Sequence, residues 1–234
     1  MKVGIMQPYI FPYIGYFQLV HSVDKFVFYD DVSYIRQGWV NRNRILISGS
    51  PAFFTVPLED ASSFRNISET RIHQRLFVHW SGKFMKTLSQ NYRRFPGCEQ
   101  VLAVVEKTLG AGCEFIGELS RASILDVLEA LGVTKNVVST SAIYQNESLS
   151  GVERVLDICK REGADTYINA SGGRTLYDRQ TFAACGITLK FLQANIRHYP
   201  QGGADFCPAL SILDVLMTLG FEGTKELMNN YILD

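Results

Sequence analysis

The densest chemistry in the chain lies between Tyr29 and Arg44: the pair Asp30 and Asp31 is followed by Arg36, Arg42 and Arg44, the amides of Asn41 and Asn43, and Trp39. Carboxylates, guanidinium groups and amides at this density bind metal, phosphate, carboxylate and amide partners. An exposed hairpin whose acids simply pair with its arginines has the same composition. If the two acids end a strand they point to opposite faces, and one of them faces a site. The second concentration is Met6-Gln7-Pro8-Tyr9-Ile10-Phe11-Pro12-Tyr13-Ile14-Gly15-Tyr16. Such a loop ahead of a helix exposes backbone N–H groups where phosphate can sit, and Gly15 permits close approach. It equally suits a proline-pinned aromatic packing turn. Third is Asn169-Ala170-Ser171-Gly172-Gly173-Arg174, a turn able to cradle an anion or merely to reverse the chain. Fourth is His198-Tyr199, where His198 is a candidate general base and Tyr199 a candidate substrate clamp. Ser211-Ile212-Leu213-Asp214 has the S-x-x-D spacing of a helix cap.

Positioning these groups requires a sheet. Val3–Met6 and Phe26–Tyr29 are short apolar runs, and between them Phe17, Leu19, Val20 and Val23 recur as on a helix. This is a βαβ unit, which places the 7–15 loop and the acid pair at strand carboxyl ends, where open α/β sheets bind ligands. After a polar, arginine-rich loop over 33–44, Phe53–Leu58 reads as another strand. Helical periodicity dominates from about 77 to 132, with Trp80, Phe84, Leu88 and Tyr92 stepping by four. Strands return at Val137–Thr140, Thr166–Ala170 and Ile187–Leu192. The intervening helices run from a Ser150 capping box to Gly163 and over Leu176–Cys185. Two short helices, Ser211–Leu219 and Lys225–Leu233, are expected within a C-terminal helical region over 208–234. The expectation is one α/β domain over 1–234, with a mainly parallel Rossmann-like sheet and a helical insertion.

With 47% hydrophobic residues among 234, the chain has ample core-forming material, and disorder is excluded. Its 23 basic and 23 acidic side chains cancel, so no global field favours nucleic acid or an anionic membrane. Five dispersed cysteines without a C-x-x-C pair fit a reducing cytoplasm and no structural zinc. The apolar run Tyr9–Val20 is broken by Pro12, Gly15 and Gln18 and suits neither a signal peptide nor a spanning helix. There is no Walker A or G-x-G-x-x-G spacing, and neither haem nor flavin is expected.

Ile5-Met6-Gln7-Pro8-Tyr9 with Phe11-Pro12-Tyr13-Ile14-Gly15-Tyr16, Tyr29-Asp30-Asp31-Val32, Gly38-Trp39, Asn41-Arg42-Asn43-Arg44 and Leu210-Ser211-Ile212-Leu213-Asp214 together resemble the WbqC-like family of bacterial proteins. The resemblance spans nearly the whole chain. It implies a role in O-antigen or other surface-polysaccharide synthesis, with transfer of glycine to an amino sugar. The opening strand, proline-rich loop and Tyr13-Ile14-Gly15-Tyr16 turn also resemble the first βαβ unit of pantothenate synthetase and other nucleotidylyl transferases. In those enzymes an H-x-G-H stretch binds ATP phosphates; here Tyr13 and Tyr16 stand in place of the histidines, and phosphate charge would fall to arginines.

Together the resemblances imply an amide-forming transferase or ligase that joins an amino acid to a nucleotide-linked amino sugar through an ATP-derived acyl adenylate, with Mg²⁺. Asp30, Asp31, Arg42 and His198 are then the candidate catalytic groups. Gln7, Tyr9, Tyr13, Gly15, Tyr16, Arg36 and Arg44 would bind nucleotide and phosphate. Trp39, Asn41, Asn43, Ser171, Gly172, Gly173, Arg174 and Tyr199 would bind substrate. The competing readings are an acyl- or glycosyltransferase using a preformed donor, and a non-catalytic sugar-nucleotide binding or scaffold protein. Either is compatible with a homo-oligomer.

Overall fold

The computed structural model describes residues 1–202 and 205–234. Its centre is a six-stranded sheet of β1 (Lys2–Met6), β2 (Lys25–Phe28), β5 (Asn136–Val138), β6 (Thr166–Ala170), β7 (Thr188–Ala194) and β8 (Tyr231–Leu233), ordered β5-β2-β1-β6-β7-β8. All neighbours are parallel except β7 and β8. Numbered within the sheet, that is the Rossmann order 3-2-1-4-5-6, whose direction of travel reverses between β1 and β6. The loops after β1 and β6 therefore leave the same sheet edge side by side.

Alternation along the strands divides the apolar residues between two layers. Val3, Ile5, Val27, Tyr167, Leu189 and Phe191 face α5 (Gly151–Arg161) and α6 (Arg179–Ala183), burying Val155, Leu156, Ile158, Cys159 and Phe182. Phe26, Phe28, Ile168 and Leu192 face the other way. They join the core built by α1 (Ile14–Ser22), α2 (Gln74–Tyr92), α3 (Cys98–Leu109), α4 (Ile116–Ala130) and α7 (Ile212–Met228). The helical segment expected over 77–132 is thus three helices whose core is continuous with the sheet's.

Four expectations change. The arginine-rich loop over 33–44 ends in a strand, β3 (Arg42–Ile47), which pairs antiparallel with β4 (Ser50–Thr55) in a hairpin outside the main sheet. The polar loop reading failed because Asn41 and Asn43 point inward, against the usual inside-apolar alternation. Ser150 precedes α5 but makes no capping bond. The two helices expected at the C-terminus are present within α7, parted at Gly220, whose φ of 67° and ψ of −174° are not helical, but the second stops at Met228 and Tyr231–Leu233 is the edge strand β8. The helix expected at Leu176–Cys185 is confined to Arg179–Ala183.

Candidate functional site

Three motifs far apart in the chain meet at Phe11. Its φ of 40° is left-handed backbone, costly for a bulky residue and sustained only where surroundings over-determine it. Here they do. The Phe11 N–H donates to Ser123 Oγ of α4 at 2.9 Å. The Phe11 carbonyl accepts from Asn43 Nδ2 of β3 at 2.9 Å and from Ser211 Oγ at the start of α7 at 2.7 Å. Asn43 Nδ2 also reaches the Ile10 carbonyl at 3.3 Å, and its Oδ1 accepts the Arg44 N–H at 2.8 Å. The Ser211 N–H donates to the Arg44 carbonyl at 2.8 Å, and Tyr13 bridges Ser211. Ser120 and Ser123 of α4 pin the Val40 carbonyl and Phe11, so the helical insertion buttresses this loop.

Beside the clamp lies an open cavity of about 230 Å³ lined by Tyr9, Pro12, Tyr13, Trp39, Asn43, Arg44 and Ala209. Gly15 shapes its wall: a Cβ there would lie 2.3 Å from the Tyr13 ring, so only glycine lets that ring fold across the first turn of α1. The Arg44 guanidinium sits 5.9 Å from the Trp39 ring, and its Nε is buried without a hydrogen-bond partner. No ion pair to Arg44 exists among the described residues. An unpaired cation within aromatic walls at a sheet's switch-point edge is suited to an anionic ligand. Ala209 is also left-handed, with φ 55°.

The acid pair lies elsewhere and is internally engaged. Asp30 Oδ1 accepts from Thr140 Oγ1 at 2.7 Å and from the Ser141 N–H at 3.2 Å, with Arg121 3.6 Å from Oδ2. Burial pushes the Asp30 carboxyl up, against those hydrogen bonds. Asp31 is ion-paired with Arg154 of α5 and accepts from Ser141 Oγ. Arg154 also donates to Asn146 Oδ1 at 2.8 Å and stacks 5.1 Å from the Tyr29 ring centre. With these oxygens engaged, the pair does not fit a resident Mg²⁺ site, and no group of three His, Cys, Asp or Glu able to hold a metal occurs among the described residues. Nothing in the spacing around Arg154 pointed to this pairing, because its partner is 123 residues away.

The remaining candidates scatter. Arg42 donates to the Gln37 and Gly38 carbonyls and covers Phe53 at 4.6 Å, bracing the hairpin. Arg36 is exposed. Asn41 is buried, accepting from Tyr34 and donating to the Val56 carbonyl. Tyr16 is buried and spends its hydroxyl on the Gln7 carbonyl at 3.0 Å, which removes it from any phosphate. Arg174 pairs with Asp234 and lies over Phe191. The turn Ser171-Gly172-Gly173 is a single 3-10 turn in which Gly173 leaves room for Asn169, whose Nδ2 would be 2.4 Å from an added Cβ. His198 is exposed, stacks on Phe206 and borders a separate groove with Arg197, Leu219 and Glu226.

Tyr199 has a different partner. Its hydroxyl donates to Asp214 Oδ2 at 2.8 Å, Tyr92 donates to Oδ1 at 2.7 Å, and Gln201 adds a bond at 3.2 Å. Ser211 does cap α7, but Asp214 does not; it gathers α2 and the 199–201 segment. The Leu46 N–H donates to Tyr92, so this cluster also holds β3 two residues beyond Arg44. Asp214 is fully buried with no cation paired to it among the described residues, and burial raises its carboxyl above 3.8 despite its three donors. The folded state therefore binds a proton that the unfolded chain has released, so stability should fall as pH rises from 3.8 through the raised folded value, then level off. Urea unfolding of wild type and Asp214→Asn across that window should show a difference that shrinks with rising pH in wild type's disfavour; a pH-independent difference would refute the assignment.

The sequence profile described as the WbqC-like protein family matches residues 7–226. The uncharacterized protein Rv1507c of Mycobacterium tuberculosis is 30% identical over 232 residues, covering 97% of each chain. No solved structure matches the chain. No helix among the described residues is long and apolar enough to cross a membrane.

Proposed function

The chain belongs to the WbqC-like protein family, and from the geometry of its arginine-bearing aromatic cavity we propose that it is an amide-forming transferase acting on a nucleotide-linked amino sugar in surface-polysaccharide synthesis, with glycine as the amino acid. The observation that carries this reading is the Arg44 guanidinium, without an ion pair among the described residues, lining one cavity with Tyr9, Tyr13 and Trp39 beside the loop that leaves β1 of a Rossmann-ordered sheet. An amide between a carboxylic acid and an amine needs the acid activated. In the adenylate route the carboxylate attacks the α-phosphorus of ATP, pyrophosphate leaves, and the sugar amine then displaces AMP from the acyl carbon. Mg²⁺ would arrive with ATP. Arg44 would hold the anionic group of the nucleotide-linked sugar, and the rigid clamp at Phe11 would keep it in place without reorganisation.

One observation favours a second reading. Tyr16, standing where a phosphate-binding histidine occurs in the nucleotidylyl transferases, is turned into the core, and a preformed acyl donor would dispense with that phosphate contact. Incubation with ATP, Mg²⁺, glycine and a panel of nucleotide-linked amino sugars separates the two. The expected result is AMP and pyrophosphate released together with a glycyl-sized mass gain on the sugar. Sugar modification by an acyl donor without nucleotide turnover would replace the adenylate route; no modification under either condition would leave a binding protein.

A further inference from the structure

We propose that the cavity beneath Trp39 takes a pyranose ring carrying one anionic group, with Arg44 as the counterion, so that it receives the sugar half of the substrate and not the ATP. This deepens the reading above and rests on it for the cavity's place in the reaction.

Four features argue for that ligand class. First, the Arg44 guanidinium lines the cavity with no ion pair among the described residues, and the lining includes no carboxylate. A guanidinium without a counterion takes an anionic oxygen best. Second, the walls are aromatic, and Trp39 leaves 42% of its surface open beside them; flat faces of this kind pack against the C–H faces of a ring. Third, the volume of about 230 Å³ lies below the roughly 300–1,000 Å³ of sites that enclose a drug-sized ligand. One ring with one charged group is the size that it holds.

Fourth, the polar groups are wrong for a nucleobase and right for a sugar. Reading a base edge needs fixed donors and acceptors, but the lining amide, Asn43, spends both side-chain atoms on Ile10, Phe11 and Arg44. What remains are the hydroxyls of Tyr9 and Tyr13, neither bonded to another described side chain and both kept protonated by burial. Each rotates to donate or accept, as sugar hydroxyls require.

The test is equilibrium binding to the full chain, read from Trp39 fluorescence after Trp80→Phe removes the other tryptophan. Glucosamine 1-phosphate is expected to give a saturable change at least ten-fold tighter than glucosamine, and Arg44→Gln should abolish that preference while leaving weak neutral-sugar binding intact. Glucuronate binding more tightly than the phosphate would keep the ligand class and identify a sugar acid as its source. If AMP or inorganic phosphate binds as tightly as glucosamine 1-phosphate, or if Trp39 responds to none of these probes, the proposal fails. Should Arg44→Gln misfold, the phosphate-to-neutral ratio in the parent protein decides alone. No turnover is involved, so a negative ligase assay with positive binding would overturn the proposed reaction and spare the sugar site.

Discussion

Replacing Arg154 with methionine should lower the unfolding free energy by about 3–5 kcal/mol, which for a chain of this size is a fall of roughly 6–20 °C in Tm. The side chains of Arg154 and Asp31 are each 6% exposed, so the variant strands a carboxylate in the interior with Ser141 as its remaining side-chain donor. Removing one member of a buried pair costs more than the pair itself contributes, because desolvation of the survivor is no longer offset. The double variant Asp31→Asn with Arg154→Met should therefore regain part of the loss, whereas two independent sites would add. Chemical denaturation of the two single variants and the double checks this. The same proteins bear on the role of the acid pair: if Asp31 only joins β2 to α5, turnover per folded molecule should survive Asp31→Asn, and a collapse of turnover in a folded variant would return Asp31 to the active centre.

What was legible in the sequence and what was not divide by the range of the interaction. Thr166–Ala170 is a strand with the bounds its apolar run predicts, because the flanking turn and the buried layers act on adjacent residues. The βαβ opening was legible for the same reason. β3 was not, since its first inward residue, Asn43, is an amide whose partners are carbonyls some thirty positions earlier. The separations at Asp214 are wider still: Tyr92 lies 122 residues away, and local spacing suggested a helix cap. Of the residues expected to form one centre, Tyr9, Tyr13, Trp39, Asn43 and Arg44 do converge, while Asp30, Asp31, His198 and Arg174 are held by other partners or line other surfaces. Composition identified the groups, but whether a charge is already neutralised depends on tertiary contacts that no spacing reveals.

That distinction matters most at Asn43, where the near-isosteric change should be worse than truncation. Asn43→Ala removes donors from the Ile10 and Phe11 carbonyls and an acceptor from the Arg44 N–H, in a residue 3% exposed. At about 1–3 kcal/mol for a buried polar group left unpaired, it should cost roughly 2–4 kcal/mol. Asn43→Asp keeps the volume but substitutes an oxygen for Nδ2, aiming it at two carbonyl oxygens. That oxygen must either hold a proton to donate or stand as a buried charge against two dipoles, and each alternative is costlier than empty space. Asn43→Asp should therefore unfold at lower urea than Asn43→Ala at neutral pH and recover toward it as pH falls, because protonation restores one donor. The recovery has a defined sign: the folded carboxyl is raised, so its penalty is largest at high pH and shrinks as the acid form fills. Loss of the Asn43 bonds also loosens the left-handed turn at Phe11, which lies between the cavity-lining residues Tyr9, Pro12 and Tyr13. Both variants should then lose the Trp39 response to glucosamine 1-phosphate even where they remain folded. An Asn43→Asp variant more stable than Asn43→Ala at neutral pH would mean that the Ser123 and Ser211 bonds hold Phe11 without this amide.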